Sequence, residues 1–420
     1  MHTPILPVRA LALALIGATA LAPLSAHTLS LTTAEALAMR HNPSLMAARH
    51  GIDVARGLAR QDRLWPNPRL GVSGGTGNAT GSPGEFSARA MLTQAVPLTA
   101  RIARHAAVGK AGVRVADARF AVEAWRIRGL VARAYTQWRS AAYAVTKVDH
   151  LIASEHVLMR LVRARVRAAE ISAVGASGVQ LLGAQARLLR QDWRTRRREA
   201  QAALVAAIGY RPRRPWPAPA PVHWHPPAPA DAWATALAHR PDLRLAELDR
   251  RYRESVRRYQ HARRLGWMIV GAGVEIDRQV LRGVPAQPID RSIELSASLP
   301  LPFWNRNQGN RSAARAQALQ ARAQVRALRW RIRHTIARDL FRRQRLRARE
   351  QRLARLLGHA RQAASLALQG LRLGQVHTSS ALAVWTDQLS LTAAWLKTHG
   401  AVAGARTALR IALGGPKEKS

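Results

Sequence analysis

The chain contains no cysteine. That excludes disulfide staples, thiolate nucleophiles, cysteine zinc sites and a cysteine-linked lipid anchor. Beyond the N-terminus it has no apolar run approaching the ~20 residues a helix needs to cross a bilayer. Acidic residues are scarce, 24 Asp+Glu against 66 Lys+Arg, and the formal net charge is +42. Such an excess raises nucleic acid as a partner, because basic faces release counterions on binding phosphate. The arginines are instead spread along two long segments (Arg101, Arg104, Arg126, Arg128; Arg331, Arg333, Arg342, Arg343), as on solvated helix surfaces. The most informative absence is proline. None of the 22 prolines falls within Leu98–Arg211 or Phe303–Gly415, runs that together exceed half the protein. Proline breaks helix interiors, so both runs are expected to be helical.

The two runs look like copies of one unit. Each opens after a Pro-Leu or Pro-Phe step (Pro97-Leu98, Pro302-Phe303) and stops at an apolar-Gly pair, Ile208-Gly209 and Leu413-Gly414. Upstream, Ala36-Leu37-Ala38 with Arg40 and Pro43 matches Ala236-Leu237-Ala238 with Arg240 and Pro241. A repeat this large defines the architecture. The expected division is a signal peptide over 1–26, a first repeat over 27–211, a linker over 212–230, a second repeat over 231–415 and a tail over 416–420. The N-terminus reads as a secretory signal, with Arg9, the apolar stretch Ala10–Leu21 and a cleavage site near Leu24-Ser25-Ala26. The linker holds eight prolines among alanines, an extended and fairly stiff joint.

Within the runs, Val113, Phe120, Ile127, Ala134 and Ala141 recur every seventh residue, and Leu353, Leu356, Leu357, Ala360, Ala363 and Ala364 follow helical spacing. Long helical hairpins are expected over 101–209 and 305–414. An unbroken helix from Arg101 to Ala169 would be roughly 100 Å long, which suits a structure that bridges a gap. Before each hairpin lies a candidate strand pair, over 69–96 and 268–300. Ile293, Leu295, Ala297 and Leu299 alternate with Ser292, Glu294, Ser296 and Ser298, the period of two of a strand with unlike faces. Phe86, Ala88, Ala90 and Leu92 alternate less cleanly with Ser87, Arg89, Met91 and Thr93. Strands of this length match a tilted bilayer span with apolar residues outside and polar residues inside. Two strand pairs cannot close a barrel around a pore, and open edges are not tolerated in lipid. Pairing with further copies is therefore expected, and three copies would supply twelve strands.

Together these features resemble the TolC-like outer-membrane efflux proteins over nearly the whole mature chain. The most specific segment is Pro300-Leu301-Pro302-Phe303-Trp304-Asn305-Arg306-Asn307-Gln308-Gly309. It is similar to the strand-to-helix turn of the cobalt-zinc-cadmium (heavy-metal) efflux branch, and Ala95-Val96-Pro97-Leu98 is its weaker first-half copy. The resemblance implies a mainly α fold with a small β-barrel. Duplicated helical hairpins would form a trimeric periplasmic α-barrel tunnel continuous with a twelve-stranded outer-membrane β-barrel. It implies a homotrimer working with a periplasmic adaptor and an inner-membrane pump, as the passive exit duct for heavy-metal cations. An exit duct for drugs or secreted polypeptides is the alternative within transport, and a basic coiled-coil structural or nucleic-acid-binding protein the alternative outside it. Where tunnels of the family narrow at an acidic ring, the expected tips (Glu170–Gly178 and Gln375–Ser380) carry one carboxylate, Glu170.

The expected adaptor and pump contacts are Glu170, Ile171 and Ser172 at the first tip and Val376 and His377 at the second. The turn residues Pro300, Pro302, Asn305, Arg306, Asn307, Gln308 and Gly309 are expected to shape the strand-to-helix transition, with Asn305 or Asn307 as N-cap. No catalytic, cofactor or metal site is expected. Gly71-Val72-Ser73-Gly74-Gly75 fits the G-x-S-x-G pattern, but a nucleophile elbow needs a helix directly after the strand. His223-Trp224-His225 could offer two imidazoles, yet it sits in the linker without a third ligand.

Overall fold

The computed structural model describes residues 28–171, 173–212, 216–280, 285 and 288–415. The expected signal peptide and tail lie outside the described residues. The element order is α1 (Leu31–His41), α2 (Pro43–Gln61), β1 (Arg69–Thr76), β2 (Phe86–Pro97), α3 (Arg101–Arg167) and α4 (Ala173–Ile208). It then repeats as α5 (Ala232–His239), α6 (Pro241–Ala262), β3 (Trp267–Arg278), β4 (Asp290–Ser298), α7 (Gln308–Arg372) and α8 (Thr378–Ala412). The proline-free runs are thus α3–α4 and α7–α8. The 67 residues of α3 extend about 100 Å at ~1.5 Å per residue.

Both repeats are closed by the same device. Gly209 and Gly414 end α4 and α8 with φ +73 and +93. A methyl group at 209 would lie 2.8 Å from Pro43 Cδ, and one at 414 would lie 2.6 Å from the His239 carbonyl carbon. Each glycine is therefore pressed against the junction of its repeat's two short helices, where only a missing side chain fits. At those junctions Asn42 Nδ2 donates to the Ala207 carbonyl at 2.9 Å, and Arg240 Nη1 donates to the Ala412 carbonyl at 2.8 Å. These bonds satisfy last-turn carbonyls that a helix leaves without partners. Pro43 and Pro241 open α2 and α6, which pairs Ala34 and Ala38 with Ala232 and Ala236, all 0–1% exposed. The repeats are thus offset here by two residues from the expected match of Ala36-Leu37-Ala38 with Ala236-Leu237-Ala238.

Three apolar clusters line the helices, one toward the tips and one at the base of each repeat. Ile127, Ala134 and Ala141 of the expected heptad are buried. In the second run Leu357 and Ala364 are buried, whereas Leu356 and Ala363 are exposed. The seam there follows 357, 364 and 371, so that stripe is narrower than expected. The repeats meet along α3 and α8, where the Thr136 and Thr407 hydroxyls are 2.8 Å apart. Arg410 also pairs with Glu35 across the repeats at 3.4 Å. The linker is fastened rather than free. Around Pro219 the Leu29 amide donates to the Ala218 carbonyl and the Ala220 amide to the Leu29 carbonyl, the Tyr135 hydroxyl donates to the Leu29 carbonyl at 2.7 Å, and Trp224 is buried in the third cluster.

The geometry of the closing glycine predicts that Gly414→Ala lowers stability by ~1–3 kcal/mol, through strain at positive φ and the clash with α5. Gly309, in the first turn of α7 with open space around its Cα, should tolerate alanine within ~1 kcal/mol, on the stabilising side. Thermal unfolding of the two variants checks both; equal effects would contradict the closing role.

Candidate functional site: the sheet face, the turn and the hairpin tips

The four strands form one antiparallel sheet in the order β1-β2-β3-β4. The two hairpins join through β2 and β3, a contact within the chain that the sequence pattern did not specify. The register sets the faces, because paired residues on neighbouring strands point the same way. One face carries Val72, Ala90, Val274 and Ile293 in one row and Leu70, Leu92, Ala272 and Leu295 in the next. Nothing among the described residues covers it: Leu70, Val72, Ile293 and Leu295 are 70%, 76%, 82% and 80% exposed. The opposite face carries Ser73, Arg89, Glu275 and Ser292 in one row and Arg69, Thr93, Gly271 and Ser296 in another. On it Arg89 bridges Glu275 at 3.0 Å and Glu294 at 3.1 Å. The alternation of Ile293, Leu295 and Ala297 with serine and glutamate is therefore real, although β4 ends at Ser298 and leaves Leu299 outside the strand.

The glycines of β3 mark close packing. A Cβ at Gly273 would lie 2.5 Å from the Ala90 carbonyl, and one at Gly271 would lie 2.5 Å from Ser296 Oγ. Ser73 sits in mid-strand opposite Arg89. A 3-10 turn, Gly77–Thr80, follows β1 directly. That turn leads into a hairpin, not into the helix a nucleophile elbow requires.

At the helical end of the sheet the turn is knit by its own side chains. Arg306 Nε donates to the Pro302 carbonyl at 3.2 Å, and the Arg306 amide donates to Gln308 Oε1 at 2.8 Å. Gln308 Nε2 donates to the Trp304 carbonyl at 3.0 Å, and the Asn307 amide donates to Asn305 Oδ1 at 3.1 Å. Asn307 occupies the cap position of α7 but adopts φ +59 and caps nothing with its side chain. Its Nδ2 instead donates to the Gln260 carbonyl at 2.9 Å, near the end of α6. The N-cap role expected of Asn305 or Asn307 is thus replaced by a tie between helices. Thr99 does the same from the first turn, donating to the Ala262 carbonyl at 2.7 Å. Pro300 packs against Gly266, leaving no room there for a side chain; nothing in the structure explains a glycine at 309.

Sequence reasoning missed the aromatics around this turn. Trp65, Phe303 and Trp304 are exposed, Trp304 by 88%, and the Arg101 guanidinium lies 4.7 Å over the Trp267 ring. The available signal was their crowding beside strand ends in a chain only 5% aromatic. Aromatics there fit a girdle at a membrane-water boundary.

The hairpin tips are tighter than expected, since α4 begins at Ala173 and leaves the first turn only Ala168 to 172. Ser172 lies outside the described residues. The two turns share one backbone pattern, with the Glu170 amide donating to the Arg165 carbonyl at 2.9 Å and the Gln375 amide to the Gly370 carbonyl at 2.8 Å. Ala169 and Gly374 take positive φ at equivalent places. Glu170 pairs with Arg165 at 3.3 Å. Ile171 is half-buried, Val376 packs on Gly370 and His377 precedes α8 at its cap position. Leu373, unnoticed in the sequence, is 71% exposed.

Residues 233–415 match the model of the outer membrane efflux protein family. That span is the second repeat. No curated protein matches the sequence. Among solved structures, the chain is similar to CusC, described for its folding and transmembrane channel formation, at TM-score 0.75 and 16% identity over 92% of each chain. It is also similar to the outer membrane protein VceC from Vibrio cholerae, at TM-score 0.71 and 19% identity over 92% of this chain and 96% of that one. The Neisseria gonorrhoeae MtrE outer membrane channel gives TM-score 0.71 at 18% identity over 92% and 89%. At these identities the likeness is one of fold. That fold is mostly helical, with a small four-stranded sheet.

Asn307 gives the turn its most specific test. Asn307→Ala should cost ~1–3 kcal/mol, from the lost bonds to Gln260 and the penalty of positive φ on alanine. Asn307→Gly should cost less, because only the bonds are lost. Denaturant midpoints order the two variants; an alanine variant as stable as the glycine one would contradict the strain argument.

Proposed function

We propose that three copies of this chain form an outer-membrane channel that serves as the exit duct of a tripartite efflux system. The observation that carries this is the sheet: an uncovered apolar face and two unpaired edges, β1 and β4, at the end of helical hairpins about 100 Å long. In lipid every backbone donor and acceptor needs a partner, which open edges lack. Three sheets joined edge to edge would give a closed barrel of twelve strands, its apolar face in hydrocarbon and its Arg89–Glu275 face toward the pore. The hairpins would then form a tunnel through the periplasm. The chain would be organised as a signal peptide, two repeats and the Pro/Ala linker. The tips (Glu170, Ile171, Ser172, Val376 and His377, with Leu373 added) would meet a periplasmic adaptor and an inner-membrane pump. The duct is passive in this reading, and energy enters at the pump.

Heavy-metal cations are the cargo we favour. The turn Pro300–Gly309 supports it through its similarity to that branch. So does the polar face of the sheet, where Glu275, Asp277, Asp290 and Glu294 outnumber Arg69 and Arg89 in a chain of net charge +42.

Native mass analysis of protein extracted from outer-membrane fractions tests the assembly, with three copies expected. A stable monomer in lipid would contradict it. Ile171→Asp and Leu373→Asp should leave assembly intact while reducing export of a metal cation by about tenfold or more, as charge at the core of a protein interface can. Unchanged export in both would remove the tips from the partner interface.

A further inference from the structure

Helix α6 packs between α3 and α7 just below the sheet. There the three helices enclose a groove of about 820 Å³ lined by Arg104, Arg257, Arg258, Arg264, Arg311 and Arg315, with His261 among them. No carboxylate lines it. Glu254, one turn away, pairs with Arg257 at 2.6 Å and Arg258 at 3.7 Å. The hydrogen bond from Arg257 holds its carboxyl below the usual carboxylate range. Among the described residues, Arg104, Arg264, Arg311 and Arg315 have no carboxylate within 4.0 Å. Six guanidinium groups around a concave surface repel one another unless an anion is present, and their planar forks suit phosphate oxygens.

The groove's position selects among anions. Gln308 lines it, and the same side chain is bonded to the carbonyl of the exposed Trp304. The groove therefore adjoins the turn that carries the exposed Phe303 and Trp304. It lies on α6 and the first turns of α3 and α7, below strands β2 to β4. A basic pocket at the level of interfacial tryptophan is where an anionic lipid headgroup resides. We propose that this groove seats the phosphate of anionic phospholipids from the membrane leaflet nearest the helices. The inference rests on the outer-membrane reading above.

The test uses the full chain, delipidated in detergent and titrated with short-chain phosphatidylglycerol, phosphatidylcholine or inorganic phosphate, with bound lipid counted by native mass spectrometry. Phosphatidylglycerol should bind at concentrations about tenfold lower than phosphatidylcholine. The triple variant R264Q/R311Q/R315Q should abolish that preference. R349Q/R352Q/R355Q, which removes three exposed arginines elsewhere on α7, should retain it. If the first triple fails to assemble, R311Q/R315Q serves in its place. Equal binding of the two lipids, or equal loss in the control triple, would overturn the proposal. So would displacement of phosphatidylglycerol by equimolar inorganic phosphate, which would make this a site for free phosphate. Insertion into vesicles is scored separately: insertion without lipid preference sinks only this inference, whereas failure of the wild type to insert sinks the channel reading itself.

Discussion

The structure turns on the backbone hydrogen bonds that β1 and β4 cannot make within one chain. A four-stranded sheet in this order has two open edges, and one of its faces is mainly apolar and uncovered among the described residues. In water such a sheet is an aggregation template. In lipid the edges are intolerable unless joined to further strands, while the apolar face becomes favourable. Closure by identical neighbours, as proposed above, would resolve both problems at once. The long hairpins would then emerge from one end of such a barrel, because both leave the same end of the sheet.

The repeat explains how one chain builds such a unit from simple parts. Each copy supplies two short helices, a strand pair and a hairpin, and each is locked where a positive-φ glycine meets the junction of the short helices. The lock is conserved in geometry and not in chemistry: Asn42 and Arg240 deliver the equivalent bond with different side chains. The copies differ most at the strand-to-helix turns. Thr99 holds the end of α6 with one hydroxyl, whereas the second turn uses Asn307 and the bonds among Asn305, Arg306 and Gln308. Both turns converge on α6, so its C-terminal end fixes the two strand pairs relative to each other.

Much of this was legible in the sequence because proline and period-two alternation are strong, local signals. The absence of proline marked both hairpins, and β1 opens at Arg69, where the first strand pair was expected to begin. What was not legible depended on distant contacts. The β2–β3 pairing is a long-range choice with no local signature. The two-residue offset between α1 and α5 follows from Pro43 and Pro241, and counting from alanines misplaced it. Leu356 and Ala363 fit a helical stripe, yet the neighbouring helix covers a narrower one. Asn307 had the composition of a cap, but its left-handed backbone turns the side chain toward Gln260. Exposed Trp304 and Leu373 could not be recognised as unusual until burial was known.

Because the chain lacks cysteine, single cysteines along β4 report the sheet's surroundings most directly. With the protein in outer membranes, cysteines at 292, 294, 296 and 298 should react with a water-soluble thiol reagent, and those at 293, 295 and 297 should be protected by lipid. Equal labelling of the two sets, or faster labelling of the second, would contradict a barrel wall and with it the channel.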